Sequence, residues 1–251
     1  IHRLDPRVKI TFTLVYVIVL FMARSPLLYG LAFLVLALYI FLSKVPLRFI
    51  LKGLKALWFM ILFTMVVTLF AIDGADVLFQ WKFIRITSTG LRSSVYLGLR
   101  LLFLIIGSSM MTYTTTPNAL TDGLEDMMGW MKKMHVPVHE LSMIMSIALR
   151  FVPILTEELD KIMKAQMARG VDFAEGNLVV RLKKLIPILI PLFVSAVKRS
   201  DDLALAMDAR CYHGGEGRTK MKPLYYRRRD YLAYLLMLLY VVGNIVLAVK
   251  L

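Results

Sequence analysis

The chain has 251 residues, 59% of them hydrophobic, with mean hydropathy +0.69 and a formal charge of +14 from 31 Lys+Arg against 17 Asp+Glu. Soluble domains carry about 45 to 50% apolar residues, so this composition describes an integral membrane protein whose basic balance is first a topology signal and only then a hint of acidic partners. Nucleic acid is thereby a poor partner, and the single cysteine, Cys211, excludes an internal disulfide or a multi-cysteine metal site.

The chain opens at Ile1 without a charged, apolar and cleavage-site succession, which reads as a sequence lacking its first residues rather than as a signal peptide. Five stretches are apolar enough to span a bilayer: 8–23, 26–42, 56–72, 91–113 and 231–249. Arg24, Ser25 and Pro26 separate the first two, and the proline favours a hairpin over one long helix. The connector after the second span carries Lys44, Arg48, Lys52 and Lys55 with no acid, against only Arg24 in the first turn. The positive-inside rule then places the N-terminus in the cytoplasm, loop 73–85 outside, and 114–230 inside. Arg92 is expected at the outer surface. Arg100, costly in lipid, is expected to face the protein interior or to snorkel.

Residues 114–230 hold 18 Lys+Arg and 14 Asp+Glu, most of the acids of the whole chain. Thr116-Pro117-Asn118 is a turn into a helix over 119–134, with Asp122, Glu125 and Asp126 early and Lys132 and Lys133 late, as the helix dipole favours. Val136-Pro137 ends it. A second helix is expected over about 138–169, broken or bent at Pro153, and a third over about 178–210, interrupted at Pro187 and Pro191. Their charge argues against spanning and suits helices at the cytoplasmic face. The expected organisation is thus 1–113 with four spans, 114–230 cytoplasmic, and 231–251 with the last span.

The second and third helices form a loose internal repeat. Phe151-Val152-Pro153-Ile154-Leu155 and Ile190-Pro191-Leu192-Phe193 each precede a polar stretch that ends in Ala168-Arg169-Gly170 or, 41 residues later, Ala209-Arg210-Cys211. In the first helix Leu155, Leu159, Met163 and Met167 make an apolar stripe opposed by Glu157, Glu158, Lys161 and Lys164. In the second, Leu192, Ala196, Leu203 and Met207 leave Lys198, Arg199, Asp201 and Asp202 outward. An arginine after a small residue at a helix end can present a planar, permanently charged fork to a partner's carboxylates. A lone arginine there would read as a dipole-compensating cation; the duplication favours docking. Gly170 and Gly214 supply the stops.

Other motifs carry little. Gly214-Gly215-Glu216-Gly217-Arg218-Thr219 has the wrong spacing and an Arg where a phosphate loop needs Lys, so any ATPase is another chain. His135 and His139 have helical metal spacing but Pro137 between them and no third ligand. Asp201, Asp202 and Asp208 form a single acidic cluster, too few for a diphosphate transferase. No catalytic residue, resident metal or cofactor is expected. Sixteen methionines, among them Met127, Met128, Met131, Met134, Met143 and Met145, suit a surface that repacks against alternative partners.

Taken with His2-Arg3-Leu4-Asp5-Pro6-Arg7, Thr115-Thr116-Pro117, Leu149-Arg150-Phe151-Val152-Pro153, Ala165-Gln166-Met167-Ala168-Arg169-Gly170 and Ala206-Met207-Asp208-Ala209-Arg210-Cys211-Tyr212, the chain resembles the T component, the transmembrane coupling subunit, of energy-coupling factor transporters. The resemblance covers nearly the whole chain. It implies an all-α integral membrane fold with about five transmembrane helices plus long amphipathic coupling helices, in the cell membrane of a prokaryote. It also implies a non-catalytic scaffold that couples ATP hydrolysis by two cytoplasmic ATPases, which bind the ATP and Mg, to release of a vitamin or related micronutrient from a membrane-embedded S component.

By the same resemblance Arg169 and Arg210 anchor the two ATPases, Ala168 and Ala209 permit close approach, and Gly170 and Cys211 close the motifs. Leu155, Leu159, Met163, Met143 and Met145 would face the S component, of which several could be interchangeable. Cys211 stands where the family often has glycine, so the second helix end is expected to be shaped differently. The rival readings are a self-sufficient multi-pass permease, for which the spans offer few polar midplane groups, and a membrane-embedded transferase.

Overall fold

The computed structural model describes all of residues 1–251 except 24, 73–76, 82–83, 135, 174–176, 215–222 and 251, and, for side chains, also 77–81, 84–86, 132 and 178. The expectations for Arg24, for His135, for much of loop 73–85 and for 215–219 therefore lie outside the described residues. Eight α-helices are present among the described residues: α1 Pro6–Met22, α2 Pro26–Ser43, α3 Leu47–Ala71, α4 Ser88–Thr114, α5 Pro117–Met127, α6 Val138–Ala168, α7 Leu178–Ala209 and α8 Arg228–Lys250. A 3₁₀ segment, Met128–Met134, follows α5. The helical class is as expected, with one addition in the expected outer loop, where β1 Val77–Trp81 pairs antiparallel with β2 Ile84–Thr87. These runs are rich in β-branched and aromatic residues, which favour a short hairpin over coil.

Five helices are long and apolar enough to cross a membrane: α2, α3, α4, α6 and α8. The first expected span is the 17-residue α1, at the short limit. By length and composition alone α6 thus meets this criterion, although its charge argued against spanning. The charges of α6 crowd into its second half, leaving an 18-residue window of mean hydropathy 1.5.

The chain forms two compact units, residues 1–127 with 224–251, and residues 128–223. In the first, α1 packs on α4, α5 and α8, α2 on α4 and α8, and α3 on α4. Its core is Tyr16, Leu20, Leu28, Tyr29, Ala32, Phe103, Met110 and Tyr240, all nearly inaccessible. The outward faces remain apolar, with Phe41, Phe59, Phe63 and Val249 exposed, as lipid-facing surfaces require. Close helix approach depends on small residues along α4. A Cβ at Gly107 would lie 2.7 Å from the Tyr16 ring, and one at Gly90 would lie 2.9 Å from the Leu69 carbonyl oxygen. Thr87 fixes the start of α4 by accepting the Gly90 N–H at 3.1 Å and donating to the Ile72 carbonyl at 3.0 Å.

A charged clamp ties the N-terminal motif to both ends of this unit. Asp5 caps α1, accepting the Arg7 N–H at 2.9 Å, and its carboxylate also takes the Arg7 guanidinium at 2.9 and 3.0 Å. That charge-assisted bond raises the pKa of Arg7. Arg7 reaches Asp126 on α5 at 3.7 Å and lies 4.0 Å above the Tyr226 ring. Buried Asp230 accepts the Asp5 N–H at 2.9 Å and the Arg227 N–H at 2.7 Å. Lys9, also buried, donates to the Thr114 carbonyl at 2.7 Å and to that of His2 at 3.3 Å. Asp5 and Arg7 were visible in the sequence as parts of a motif; Asp126 and Asp230 as their partners were not, because only folding brings together residues more than a hundred positions apart.

In the second unit α6 packs on α7. Both helices end within one residue of expectation; of the two outcomes expected at Pro153 a break is absent, and so is the interruption expected at Pro187 and Pro191. α6 runs through Pro153, and α7 runs through Pro187 and Pro191. The reason is visible at the proline pair. Pro191 has no N–H to give the Pro187 carbonyl four residues back, and the Gln166 side chain of α6 donates to that carbonyl instead, at 3.4 Å. The expected helix over 119–134 is likewise corrected, because α-helical hydrogen bonding stops at Met127 and tightens to 3₁₀ through Met134.

Candidate coupling site

The two Ala-Arg motifs end α6 and α7 in one and the same backbone motif. At the end of α6 the N–H of Gly170 donates to the Met167 carbonyl at 2.9 Å and that of Val171 to the Gln166 carbonyl at 3.1 Å. At the end of α7 the N–H of Cys211 donates to the Asp208 carbonyl at 2.9 Å and that of Tyr212 to the Met207 carbonyl at 3.1 Å. Each is a Schellman closure, with the arginine as the capping residue and the next residue left-handed. Gly170 has φ 89° and Cys211 φ 55°. The expectation that Cys211 gives a differently shaped end is therefore corrected. The closing hydrogen bonds hold a Cβ-bearing residue in the left-handed region, and the glycine preference there is one of cost rather than necessity.

Ala168, Arg169, Gly170, Ala209, Arg210 and Cys211 are all exposed. Among the described residues neither guanidinium takes part in a hydrogen bond or ion pair, so each helix ends in a free cation beside an alanine too small to screen it. The left-handed turn sends the following chain sharply away from the helix axis. What remains is a blunt helix tip with an exposed arginine, made twice.

The bodies of the two helices zip together. Along α7 Ile188 is buried and Leu192, Ala196, Leu203 and Met207 are half-buried, as the four-residue spacing predicts, while Lys198, Asp201 and Asp202 are exposed. Arg199 departs from its expected outward position. It pairs with Glu158 at 3.7 Å, so both residues belong to the α6–α7 seam. Glu157, Lys161 and Lys164 do face outward. Of the residues expected to meet an S component, Leu155, Leu159, Met163 and Met143 are half-buried and Met145 is exposed. An uncovered apolar surface of this unit also lies on α7, at Leu182, Leu189, Ile190, Phe193 and Val197. Periodicity could have exposed it, since these residues interleave with the seam positions at helical spacing.

Comparison with known proteins agrees with this architecture. Residues 1–221 match the CbiQ family, described as cobalt transport protein. The chain is 52% identical over 238 residues to the energy-coupling factor transporter transmembrane protein EcfT of Acidaminococcus fermentans, covering 95% of this chain and 88% of that protein. It is 50% identical over 238 residues to EcfT of Clostridium kluyveri, covering 94% and 87%. It is 44% identical over 230 residues to EcfT of Bacillus subtilis, covering 92% and 87%. Neither the permease nor the transferase reading finds support among these relatives. A multi-pass membrane protein of this sequence and architecture belongs to the EcfT-type family, the transmembrane components of energy-coupling factor transporters.

Proposed function

We propose that this chain is the mechanical link of an importer whose ATP is hydrolysed elsewhere. Its α6 and α7 tips dock on two cytoplasmic ABC-type ATPases, which hold ATP and Mg, and the helix bodies hold an S component that binds a vitamin or related micronutrient. The observation that carries the reading is the pair of matching Schellman ends with free arginines. Two anchors closed by the same backbone hydrogen-bond motif on two packed helices suit two homologous partners. When those partners change spacing, helices anchored to both convert the change into rotation of whatever rests on them. Leu155, Leu159, Met163, Met143 and Met145, together with the uncovered face of α7, supply adaptable apolar surface for the S component, which several different S components could share. This reading puts the N-terminus and residues 114–230 in the cytoplasm.

Co-expression with candidate partners tests it. The chain should co-purify with two ATPases and a small membrane protein, and the reconstituted complex should take up substrate only with hydrolysable ATP. Substrate transport or nucleotide turnover by the chain alone would overturn the reading.

A further inference from the structure

A recess of about 330 Å³ opens in the first unit among Ala23, Tyr29, Thr68, Ile72, Ser93 and Arg100, with Tyr96 in its wall. Its floor is Arg100. One terminal nitrogen of that side chain donates to the Ala23 carbonyl at 2.9 Å, and the guanidinium lies 5.8 Å from the Phe21 ring. Its Nε–H is buried with no acceptor, and no carboxylate pairs with it among the described residues. Tyr29 is only 3% exposed, stacks on Tyr96 at 5.1 Å, and its hydroxyl is likewise buried without a partner. Nearer the start of α4, the Arg92 guanidinium sits 5.5 Å above the same Tyr96 ring. Among the described residues the site thus gathers unused donors and positive charge with no anion to match.

Depth identifies what can reach it. Thr114, bonded to buried Lys9 beside the charged clamp, marks one membrane boundary of α4. A hydrocarbon layer of about 30 Å takes about 20 helical residues, which puts the opposite boundary near Ser94. Arg100 is then about 9 Å inside it, and helix side chains lean toward the N-terminus, here toward that nearer boundary. α1 stops short at Ala23, whose carbonyl Arg100 holds, so the recess lies at the level of its end, with Ile72 and Ser93 in its lining. A cation at this depth is costly unless it meets an anion or water.

We propose that this recess binds the phosphate of a phospholipid from the leaflet on the β1–β2 side. Arg100 is the charged donor, and the hydroxyls of Tyr29 and Ser93 are neutral donors. A phosphodiester supplies acceptor oxygens that the planar guanidinium can engage through two N–H groups, and its acyl chains continue along the exposed apolar faces of the surrounding helices. The inference is independent of ATPase docking.

Native mass spectrometry of the full chain in mild detergent, after delipidation and exposure to phosphatidylglycerol, tests it. The unaltered chain should retain one lipid molecule, Arg100→Gln at least tenfold less, and Tyr29→Phe, which removes one hydroxyl, several-fold less. Added phosphatidylglycerol should raise the unfolding temperature of the unaltered chain but not of Arg100→Gln. Arg100→Lys keeps the charge and should retain an intermediate amount, which separates lipid loss from misfolding. A phosphate-free glucosyl diacylglycerol should not be retained. Equal retention by Arg100→Gln and Tyr29→Phe, or equal retention of the glucolipid, overturns the proposal. Displacement of the lipid by millimolar inorganic phosphate overturns the lipid assignment and makes the recess a site for the free anion.

Discussion

Replacing Arg169 or Arg210 by alanine separates docking from helix capping, because the two roles leave their cost in different places. In the isolated chain neither guanidinium touches another described group. The only intrachain contribution left to either is its interaction with the helix dipole, about 0.3 to 1 kcal/mol at an exposed end. The Schellman hydrogen bonds use backbone groups alone and survive the substitution. Either single variant should therefore unfold within a degree or two of the parent. In the complex, truncating one member of a desolvated charge pair costs about 2 to 5 kcal/mol, equivalent to a loss of roughly 30-fold to several thousandfold in affinity. Titrating each purified ATPase against the detergent-solubilised chain, with thermal unfolding followed by tryptophan fluorescence in parallel, gives both quantities. Each single variant should lose one ATPase selectively, the double variant should lose both and abolish uptake, and lysine should rescue poorly because it lacks the planar fork. Full ATPase affinity in a folded double-alanine variant would reduce the two motifs to helix ends. So would a loss of stability as large as the loss of binding.

Three further outcomes follow from the geometry. Cys211→Gly should relieve a left-handed conformation that costs a Cβ-bearing residue about 1 to 2 kcal/mol and slow amide exchange at Tyr212, while Gly170→Ala should speed exchange at Val171; unchanged exchange in both would refute the closure. Asp230→Ala removes the acceptor of two backbone N–H groups, about 1 to 3 kcal/mol for each left unsatisfied, so the unfolding temperature should fall by several degrees, and no fall would show the clamp to be dispensable. Cys211 is exposed, so a membrane-impermeant maleimide should label it in inside-out vesicles stripped of ATPases and leave it unlabelled in intact cells; efficient labelling from outside would reverse the assigned orientation.

What the sequence made legible was whatever depends on neighbours along the chain. The boundaries of α6 and α7, the seam at Leu192, Ala196, Leu203 and Met207, and the exposure of the twin arginines all follow from helical periodicity and local stop signals. Arg199 and Glu158 were misplaced because periodicity treats charge as a marker of solvent, whereas opposite charges facing each other across a helix pair can occupy the seam itself. The clamp of Asp5, Arg7, Asp126 and Asp230 was invisible for a related reason. Its members are scattered across the chain, and only their joint burial makes each one necessary.

The prolines and Cys211 teach the more general lesson, since in each case a sound local rule was overridden from outside the segment that it describes. A proline is expected to break a helix because it orphans a carbonyl, and the force of that rule depends on whether another donor is within reach. At Pro187 the donor is Gln166, carried in by the packing of α6 on α7. A residue with a Cβ is expected to avoid the left-handed region, and at Cys211 two closing backbone hydrogen bonds offset the cost. In both places the structure spends stability to keep a shape: an unbroken α7, and a tip matching that of α6. An unbroken helix transmits a displacement along its length, and a matched tip lets the same docking geometry serve twice. That these costs are borne on the two helices ending in free arginines is what joins the physics of the segment to the coupling role proposed for it.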